Sequence, residues 1–248
     1  MRQSILRSES TPSGDGRGVS DVLAFMLVFA MVIGSVILMS TAGLQAMEGY
    51  QEGEQSRNAE RAMTSLTSKF NDLLQYDGVT ERYGELSLRG GTIRTGSNGT
   101  NVTINITGTN YNHEHDLGRF TYESELESDT VAYEGGGLVR SGDSGSIFLE
   151  DPSLTCNKNR DTALVSLVKI KPDRSRSIQS ESTLGITITR KDRSRQIYHV
   201  DNETVSVSVN NSDTRYPQAW QSIDSGSEWT CAGVDTVAVT VVTANIDY

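Results

Sequence analysis

The four residues at positions 113–116 have side-chain types and a spacing that suit a bound metal ion. Imidazoles and carboxylates alternate there as His-Glu-His-Asp, and residues two apart on a β-strand share one face. His113 and His115 would then reach one ion together, and His199, the remaining histidine, would have to supply a further ligand. A polar loop explains the same residues, so we assign no metal ligand and expect no cofactor.

A second string with chemical potential is Gly-Asp-Ser-Gly at positions 142–145, which resembles the nucleophile string of trypsin-like serine proteases. That chemistry needs a histidine base and an aspartate that orients it. His113 and His115 lack the Ala-Ala-His-Cys context of that family, and Ser146 stands where the family has glycine. A hairpin turn has the same composition. We therefore expect a turn, no catalytic residue and no enzymatic activity.

Glycosylation is the third kind of chemistry that the sequence offers. Asn-x-Ser/Thr sequons begin at Asn98, Asn101, Asn105, Asn202 and Asn210. The first three lie within a single short stretch of chain. If this part of the chain lies outside the cell, we expect at least one of the five asparagines to carry a glycan.

A long apolar segment near the N-terminus is a candidate membrane-spanning helix. No charged side chain occurs from Val22 to Met47, a run of 26 residues. As a helix, this run spans about 39 Å, which exceeds the roughly 30 Å of a bilayer's hydrocarbon core. Because backbone groups in lipid must be hydrogen-bonded internally, we predict a transmembrane helix. The alternative is a buried helix of a soluble domain.

Charges on either side of the apolar segment predict its orientation. Three arginines precede it and three glutamates follow it closely, namely Arg2, Arg7, Arg17, Glu48, Glu52 and Glu54. The positive-inside rule then places the N-terminus in the cytoplasm and the rest of the chain outside. A cleaved secretory signal is the rival interpretation, because small residues at positions 40–42 form a possible cleavage site, although its apolar region is normally shorter.

The residues before the apolar segment read Gly-Arg-Gly-Val-Ser-Asp-Val at positions 16–22. This string resembles the class III signal peptide of archaeal type IV pilin-like proteins. The resemblance implies cleavage by a prepilin peptidase after Gly18, with Arg17 and Gly18 as the recognition pair and Val19 as the new N-terminus. Leu23 stands where bacterial pilins have a glutamate, a difference that archaeal pilins often share.

The resemblance extends into the polar part of the chain. Residues 85–94, 131–154 and 162–170 are similar to the head of a haloarchaeal pilin-like family of unknown function, with a Tyr-x-Gly-Gly-Gly turn followed by a Gly/Ser hairpin and an apolar strand. The composition fits a halophilic source, because the net charge is -10 and lysines are few. An ordinary acidic secreted domain would have the same charge. The acidic surface argues against a nucleic-acid partner.

Periodicity predicts the elements that follow the membrane segment. Apolar residues recur every three or four positions between 45 and 76, which predicts an amphipathic helix extension. From residue 84 onwards, apolar and polar residues alternate, as in half-buried antiparallel strands. Alternation predicts strands around residues 86–88, 102–106, 184–188, 205–209 and 237–241, and residues 162–170 are predicted as a more continuously buried strand. A short helix is predicted from Pro217 to Ile223, capped by Asp213 or Thr214.

Cys156 and Cys231 are the two cysteines of the chain. On the outside of a cell, an even count predicts a disulfide. Two free buried thiols are the alternative.

These features predict an α+β fold, in which a long N-terminal transmembrane helix precedes a mainly antiparallel, β-sandwich-like head. The expected segments are a cytoplasmic leader, a membrane or filament-core helix, an amphipathic extension and an extracellular β-rich domain, at residues 1–18, 19–47, 48–78 and 79–248.

The leading functional hypothesis is a type IV pilin-like structural protein of the cell surface, of the minor or accessory kind. Its expected partners are the membrane, a prepilin peptidase and other pilin subunits, which contact it through the N-terminal helix. The alternatives are a single-pass surface protein that never polymerises, whose head binds a ligand or the envelope, and a membrane-tethered hydrolase.

Overall fold

The computed structural model describes residues 16–124, 129–210, 214–223 and 228–248, without the side chains of residues 16–20 and 45–56. The chain divides into two compact units, an N-terminal unit that ends at Gln51 and a C-terminal unit that begins at Glu52. Residues 1–15 of the expected leader, and Asp213 of the expected helix cap, lie outside the described residues.

Helix α1 (Gly16–Gln75) includes both the apolar segment and the amphipathic segment. The stretch Asp21–Leu44 has a mean hydropathy of 2.8, and none of it is buried within the chain. It is long and apolar enough to cross a membrane. The apolar N-terminal helix expected from the sequence is therefore confirmed.

The amphipathic part of α1 packs into the core of the C-terminal unit. Its buried side chains recur at helical spacing and are Ala59, Met63, Leu66, Phe70, Leu73 and Leu74. The Phe70 ring packs edge-on against Tyr133, with ring centroids 5.2 Å apart, and against Phe120, with centroids 6.1 Å apart. Edge-to-face aromatic pairs stabilise a core beyond the area that they bury. This part of the helix is thus a structural element of the C-terminal unit.

The rest of the C-terminal unit is β-rich. The strands of the described residues are β1 (Glu81–Ser87), β2 (Thr92–Gly96), β3 (Asn101–Ile106), β4 (Asn112–Asp116), β5 (Arg119–Glu123), β6 (Thr130–Glu134), β7 (Gly137–Gly142), β8 (Gly145–Glu150), β9 (Ser153–Asn157), β10 (Thr162–Ile170), β11 (Arg176–Gln179), β12 (Thr183–Val209) and β13 (Glu228–Asp247). A short helix, α2 (Pro217–Gln221), lies between β12 and β13. Each strand predicted from alternation overlaps one of these elements, and the one at 86–88 extends one residue beyond the end of β1.

The strands form two sheets. The larger sheet has the order β4-β3-β12-β13-β10-β9, and β1 pairs with β12 beside this path. The smaller sheet has the order β11-β2-β5-β6-β7-β8. Among the strands of the described residues, pairing is antiparallel except between β10 and β13, which run parallel. The α+β, mainly antiparallel body is confirmed, and the two sheets fit the sandwich-like arrangement.

Central strands of both sheets are buried on both faces. On β6, Val131 and Tyr133 belong to the core that contains α1, whereas Ala132 belongs to a second core that contains α2. On β10, Leu167 and Val168 divide in the same way. Strands covered on both faces carry continuous apolar runs instead of alternating ones. This explains the run at residues 162–170, which was predicted as a continuously buried strand.

The prediction for α2 was right for the helix and wrong for its cap. Tyr216 is the N-cap residue and its side chain makes no capping hydrogen bond. Pro217 occupies the first turn, where a missing N–H costs nothing. The Thr214 hydroxyl instead accepts a hydrogen bond from the Tyr216 backbone N–H, at 3.1 Å. Thr214 therefore orders the residues before the helix rather than the helix end itself.

Candidate functional site

The residues proposed for metal binding lie on strand β4, and not in a loop. His113 is exposed and packs its ring on Tyr111, with centroids 4.5 Å apart. His115 is half-buried and lines a cavity of about 190 Å³ together with Tyr111, Lys169 and Asp192. His199 lies on β12 and does not line this cavity. Among the described residues, no three His, Cys, Asp or Glu side chains are grouped to hold a metal ion.

His115 is held in its neutral form by its surroundings. Its Nε2 atom is buried, and no protein group in the described part of the chain hydrogen-bonds to it. Burial, together with the positive charge of Lys169 and the effect of the neighbouring His113, lowers the pKa of His115 to about 4. Because the charged imidazolium is disfavoured, His115 is uncharged at neutral pH.

The Gly-Asp-Ser-Gly string forms the turn between β7 and β8, where Gly142 pairs with Gly145. The adjacent cavity measures about 330 Å³ and is lined by Asp129, Arg140, Ser144 and Gln218 among others, with no histidine. Ser146 is the structurally engaged serine, because its hydroxyl donates to Gln218 Oε1 and accepts from the Ala219 N–H, both at 3.1 Å. The described residues therefore bring no base to this serine string.

The most highly connected polar group in the interior is Glu134 at the end of β6. Its carboxylate accepts hydrogen bonds from the Thr100 N–H and hydroxyl, both at 2.7 Å, and from Trp220 Nε1 at 3.1 Å. Burial raises the pKa of Glu134, while these bonds and the charge of Arg119 act in the opposite direction. A buried carboxylate with three donors joins β6, the β2–β3 loop and α2.

The Gly-Gly-Gly motif that follows Glu134 forms a tight hairpin turn, which contacts helix α1. Gly135 and Gly136 have φ values of 65° and 97°, which glycine adopts without strain. Two successive positive φ angles match the twist of the flanking strands in a two-residue hairpin. The Asn71 side chain donates to the Gly136 carbonyl at 2.7 Å and accepts from the Tyr133 hydroxyl at 2.9 Å. This helix residue is thereby fixed to the β6–β7 turn.

The five sequon asparagines are divided by exposure. Asn98, Asn202 and Asn210 are exposed, whereas Asn101 and Asn105 are half-buried on β3. The threonine of the Asn98 sequon is Thr100, which is fully buried and bound to Glu134. Thr100 therefore has a structural role, and its presence is not by itself evidence that Asn98 is glycosylated. Residues 211 and 212, which complete the Asn210 sequon, lie outside the described residues.

Cys156 on β9 and Cys231 on β13 form a disulfide, with their Cα atoms 5.5 Å apart. Cys156 pairs in register with Ala163 of β10, so the bond connects an edge strand of the larger sheet with β13, two strands away. The disulfide expected from the even cysteine count is present in the structure.

Arg17, Gly18 and Val19, the residues expected at a processing site, lie in the first turns of α1, and their side chains are outside the described residues. The apolar segment that follows carries few polar groups, and the hydroxyls of Ser35 and Thr41 are satisfied locally. The Ser35 hydroxyl donates to the Val32 carbonyl at 2.8 Å, and the Thr41 hydroxyl donates to the Ile37 carbonyl at 3.1 Å. Neither hydroxyl needs water, so this segment presents an apolar surface on every side.

These elements define an α+β protein with an exposed apolar N-terminal helix and a disulfide-bonded, two-sheet C-terminal unit. Residues 17–248 match DUF7289, a family of unknown function, and the chain belongs to this family. No curated protein and no solved structure matches the chain.

Proposed function

We propose that the chain is a type IV pilin-like surface protein, of the minor or accessory kind, that is anchored and assembled through the apolar segment of α1. One observation carries the proposal: Asp21–Leu44 is strongly apolar and has no residue buried within the chain. Its exposed side chains include Phe25, which is 68% exposed, and Leu38, which is 71% exposed. Such a surface is unfavourable in water, at roughly 25 cal/mol for each Å² of apolar area, and must be covered by lipid or by other helices.

The sequence around this segment supports both kinds of cover. Lipid suits the run because its length exceeds a bilayer core and the hydroxyls of Ser35 and Thr41 are bonded within the helix. Helix packing suits the small residues Gly34, Ser35, Ala42 and Gly43, which allow backbones to approach closely. A pilin uses both in turn: the helix is stored in the membrane and then packs against the same helix of other subunits.

An extracellular location of the C-terminal unit is part of this proposal. The arginines that precede the apolar segment favour a cytoplasmic N-terminus. The disulfide between Cys156 and Cys231 is typical of a chain that folds outside the reducing cytosol. The exposed side chains of Asn98 and Asn202 would then face the compartment in which glycans are attached.

Processing is the property that separates a pilin from a simple anchor, and mass spectrometry of the mature N-terminus measures it. In cells with an archaeal prepilin peptidase, we expect cleavage after Gly18 and a mature chain that begins at Val19. Gly18→Val should block cleavage, because a branched side chain replaces the glycine of the recognition pair. Gly16→Val, two residues further from the bond, is the matched control and should still be processed.

The same experiment can reject the proposal. An unprocessed N-terminus would favour the alternative of a single-pass surface protein that does not polymerise. A mature N-terminus near Gly43 would instead indicate a cleaved secretory signal.

A further inference from the structure

An arginine-lined cleft lies on the smaller sheet, away from the histidine cavity and from the hairpin of residues 142–145. It measures about 450 Å³, within the usual range for small-ligand sites. Three adjacent strands, β11, β2 and β5, contribute one arginine each. Its lining residues are Arg94, Thr95, Gly96, Ser97, Asn98, Arg119, Ser175, Arg176 and Ser177.

The pairing of β2 with β5 brings two of these arginines to the same face of the sheet. Arg94 is directly opposite Thr121, and Arg119 is two residues before Thr121 on the same strand. Cross-strand partners share a face, and so do residues two apart on a strand. Arg176 pairs with Thr95, so it faces the other side of the sheet from Arg94 and lines the cleft at the edge strand β11. The cleft thus exists only because of the strand register.

The charge of the cleft is opposite to that of the whole chain. The chain has 32 acidic and 22 basic residues, yet the cleft is lined by three arginines and by no aspartate or glutamate. Carboxylates outside the cleft hold two of the guanidinium groups: Glu123 lies 3.0 Å from Arg94, and Asp247 lies 3.3 Å from Arg176. In both pairs the contact is to one terminal nitrogen, so other N–H donors of each guanidinium remain for a ligand.

Arg119 differs from the other two arginines, because no carboxylate in the described part of the chain forms an ion pair with it. It is half-buried, so its charge is less screened than that of a fully exposed arginine. Arg119 interacts electrostatically with the buried Glu134, but the carboxylate oxygens of Glu134 are already bound by Thr100 and Trp220. A guanidinium in this setting is suited to a planar or tetrahedral oxyanion, which it binds with two parallel hydrogen bonds.

We propose that this cleft binds the sulfate or carboxylate groups of an acidic saccharide. The guanidinium groups supply charge and paired donors for the oxyanions, and the hydroxyls of Ser97, Ser175 and Ser177 supply hydrogen-bond partners for sugar hydroxyls. No aromatic or large aliphatic side chain lines the cleft, so it lacks the apolar pocket that usually anchors a peptide. The site lies in the C-terminal unit and does not depend on whether the chain forms filaments.

The proposal is tested with the full-length chain in detergent micelles, by titration calorimetry with four probes at equal ionic strength. Sucrose octasulfate and an oligogalacturonate carry the two oxyanion types on a sugar, sodium sulfate carries the oxyanion alone, and maltose carries the sugar alone. We expect one-to-one binding of at least one acidic saccharide, weaker binding of sulfate and none of maltose. The affinity should fall as NaCl is raised.

Substitutions locate the binding in this cleft. Arg119→Gln removes the unpaired guanidinium and should weaken binding of the acidic saccharide roughly tenfold or more, the amount expected for hydrogen bonds to a charged group. Arg94→Gln should also weaken it and replaces Arg119→Gln if that variant does not fold. Arg160→Gln, an exposed arginine outside the cleft, is the matched control and should bind like the wild type.

Several results would overturn the proposal. Equal loss of affinity in Arg160→Gln and Arg119→Gln would mean non-specific attraction of anions. Sodium sulfate binding as tightly as both saccharides would remove the role of the sugar. A poly-glutamate peptide, titrated as a fifth probe, would assign the cleft to an acidic protein segment if it bound more tightly than the saccharides. Absence of binding by either saccharide would reject the site.

Discussion

Polar side chains at a few positions determine how the segments of the C-terminal unit meet. Asp116 Oδ1 accepts hydrogen bonds from the N–H groups of Gly99 and Gly118, at 2.9 and 3.0 Å, and so joins two loops. The Cα of Gly99 faces the Gly118 backbone so closely that a side chain there would collide with it. Individual positions at which few residue types are tolerated therefore determine the contacts between chain segments that are distant in sequence.

Gly118 is the glycine at which a side chain is most clearly excluded. Its φ is 59°, and a Cβ atom would lie 1.9 Å from the Ile170 carbonyl oxygen. Gly118→Ala should therefore lower the free energy of unfolding by at least about 2 kcal/mol, because a backbone shift is needed as well as a left-handed alanine. Denaturant unfolding followed by Trp220 fluorescence measures the change. Gly78→Ala, where a Cβ meets nothing within 4 Å, is the control and should change stability by less than about 0.5 kcal/mol.

His115 should make the stability of the C-terminal unit depend on pH. Its pKa is about 4 in the folded chain, compared with 6.5 for a free imidazole. Between these pH values the unfolded state therefore binds more protons than the folded state. The free energy of unfolding should fall as the pH is lowered from about 6.5 to about 4.

Unfolding free energies measured between pH 4 and 7.5 test this expectation. His115→Gln should remove that part of the pH dependence, whereas Ser194→Ala, which lines the same cavity without titrating, should retain it. Equal pH profiles for wild type and His115→Gln would contradict the assignment.

At the scale of elements, the C-terminal end of α1 is stabilised by a neighbouring strand and not by its own residues. The last turn of α1 contains no basic residue. Arg193 of β12 instead donates to the Leu74 carbonyl at 3.1 Å and forms an ion pair with Asp77. Arg190 of the same strand donates to the Asp77 carbonyl at 2.9 Å. Cations at this end compensate the helix dipole and its unpaired carbonyls.

Arg193→Gln should lower the free energy of unfolding by roughly 1–3 kcal/mol, because a buried charged donor and its ion pair are lost together. Denaturant unfolding in detergent measures this loss. Lys191→Gln is the matched control on the same strand, since Lys191 and Asp173 form an exposed pair that contributes less than about 1 kcal/mol. Similar losses in both variants would show that Arg193 acts only as a surface charge.

The disulfide connects the edge strand β9 to β13 across a sequence separation of 75 residues. Replacing both cysteines, as Cys156→Ala with Cys231→Ala, should lower the free energy of unfolding by roughly 2–5 kcal/mol, mainly because the unfolded chain is less constrained. Wild-type protein treated with a reductant should show a comparable loss. Alkylation of both thiols in native, unreduced protein would contradict the bond.

For the molecule as a whole, the N-terminal unit and the C-terminal unit meet opposite physical requirements. The apolar residues of α1 between Asp21 and Leu44 are exposed and need an external cover, whereas the C-terminal unit encloses its own cores. The first requirement is what makes membrane storage and subunit packing the proposed function. Because the C-terminal unit encloses its own cores, the proposed ligand site in it can act whether the chain is anchored singly in the membrane or assembled with other subunits.

Gly34→Leu separates anchoring from assembly. If the helix only anchors, added hydrophobicity leaves membrane insertion intact. If helices pack together in a filament, a bulky side chain at a close contact keeps their backbones apart. We therefore expect normal insertion and a lower ratio of sheared to membrane-bound protein.

Two comparisons make that ratio interpretable. Val32→Asp places a charge in the apolar segment and should reduce both insertion and shearing. An unchanged ratio for Gly34→Leu would count against a helix contact at that position. Absence of sheared wild-type protein, under conditions that release other pili, would favour the non-polymerising anchor.

Local patterns in the sequence were sufficient for the apolar helix, the amphipathic extension and segments of five strands, β1, β3, β10, β12 and β13. Hydrophobic periodicity is a property of neighbouring residues, so it identifies an element and its buried face before any partner is known. The turns at Gly135 and at residues 142–145 follow from backbone preferences that are equally local. The pairing of Cys156 with Cys231 followed from having two cysteines.

Only the tertiary structure decided which distant residues meet. The parallel pairing of β10 with β13, the contact of Arg193 with the end of α1, and the cleft formed by Arg94, Arg119 and Arg176 all join segments that are far apart in sequence. In the sequence, nothing distinguishes any of these arginines from an ordinary exposed residue of a strand. Their common location depends on strand order and register, which arise from the packing of the whole unit and not from any one segment.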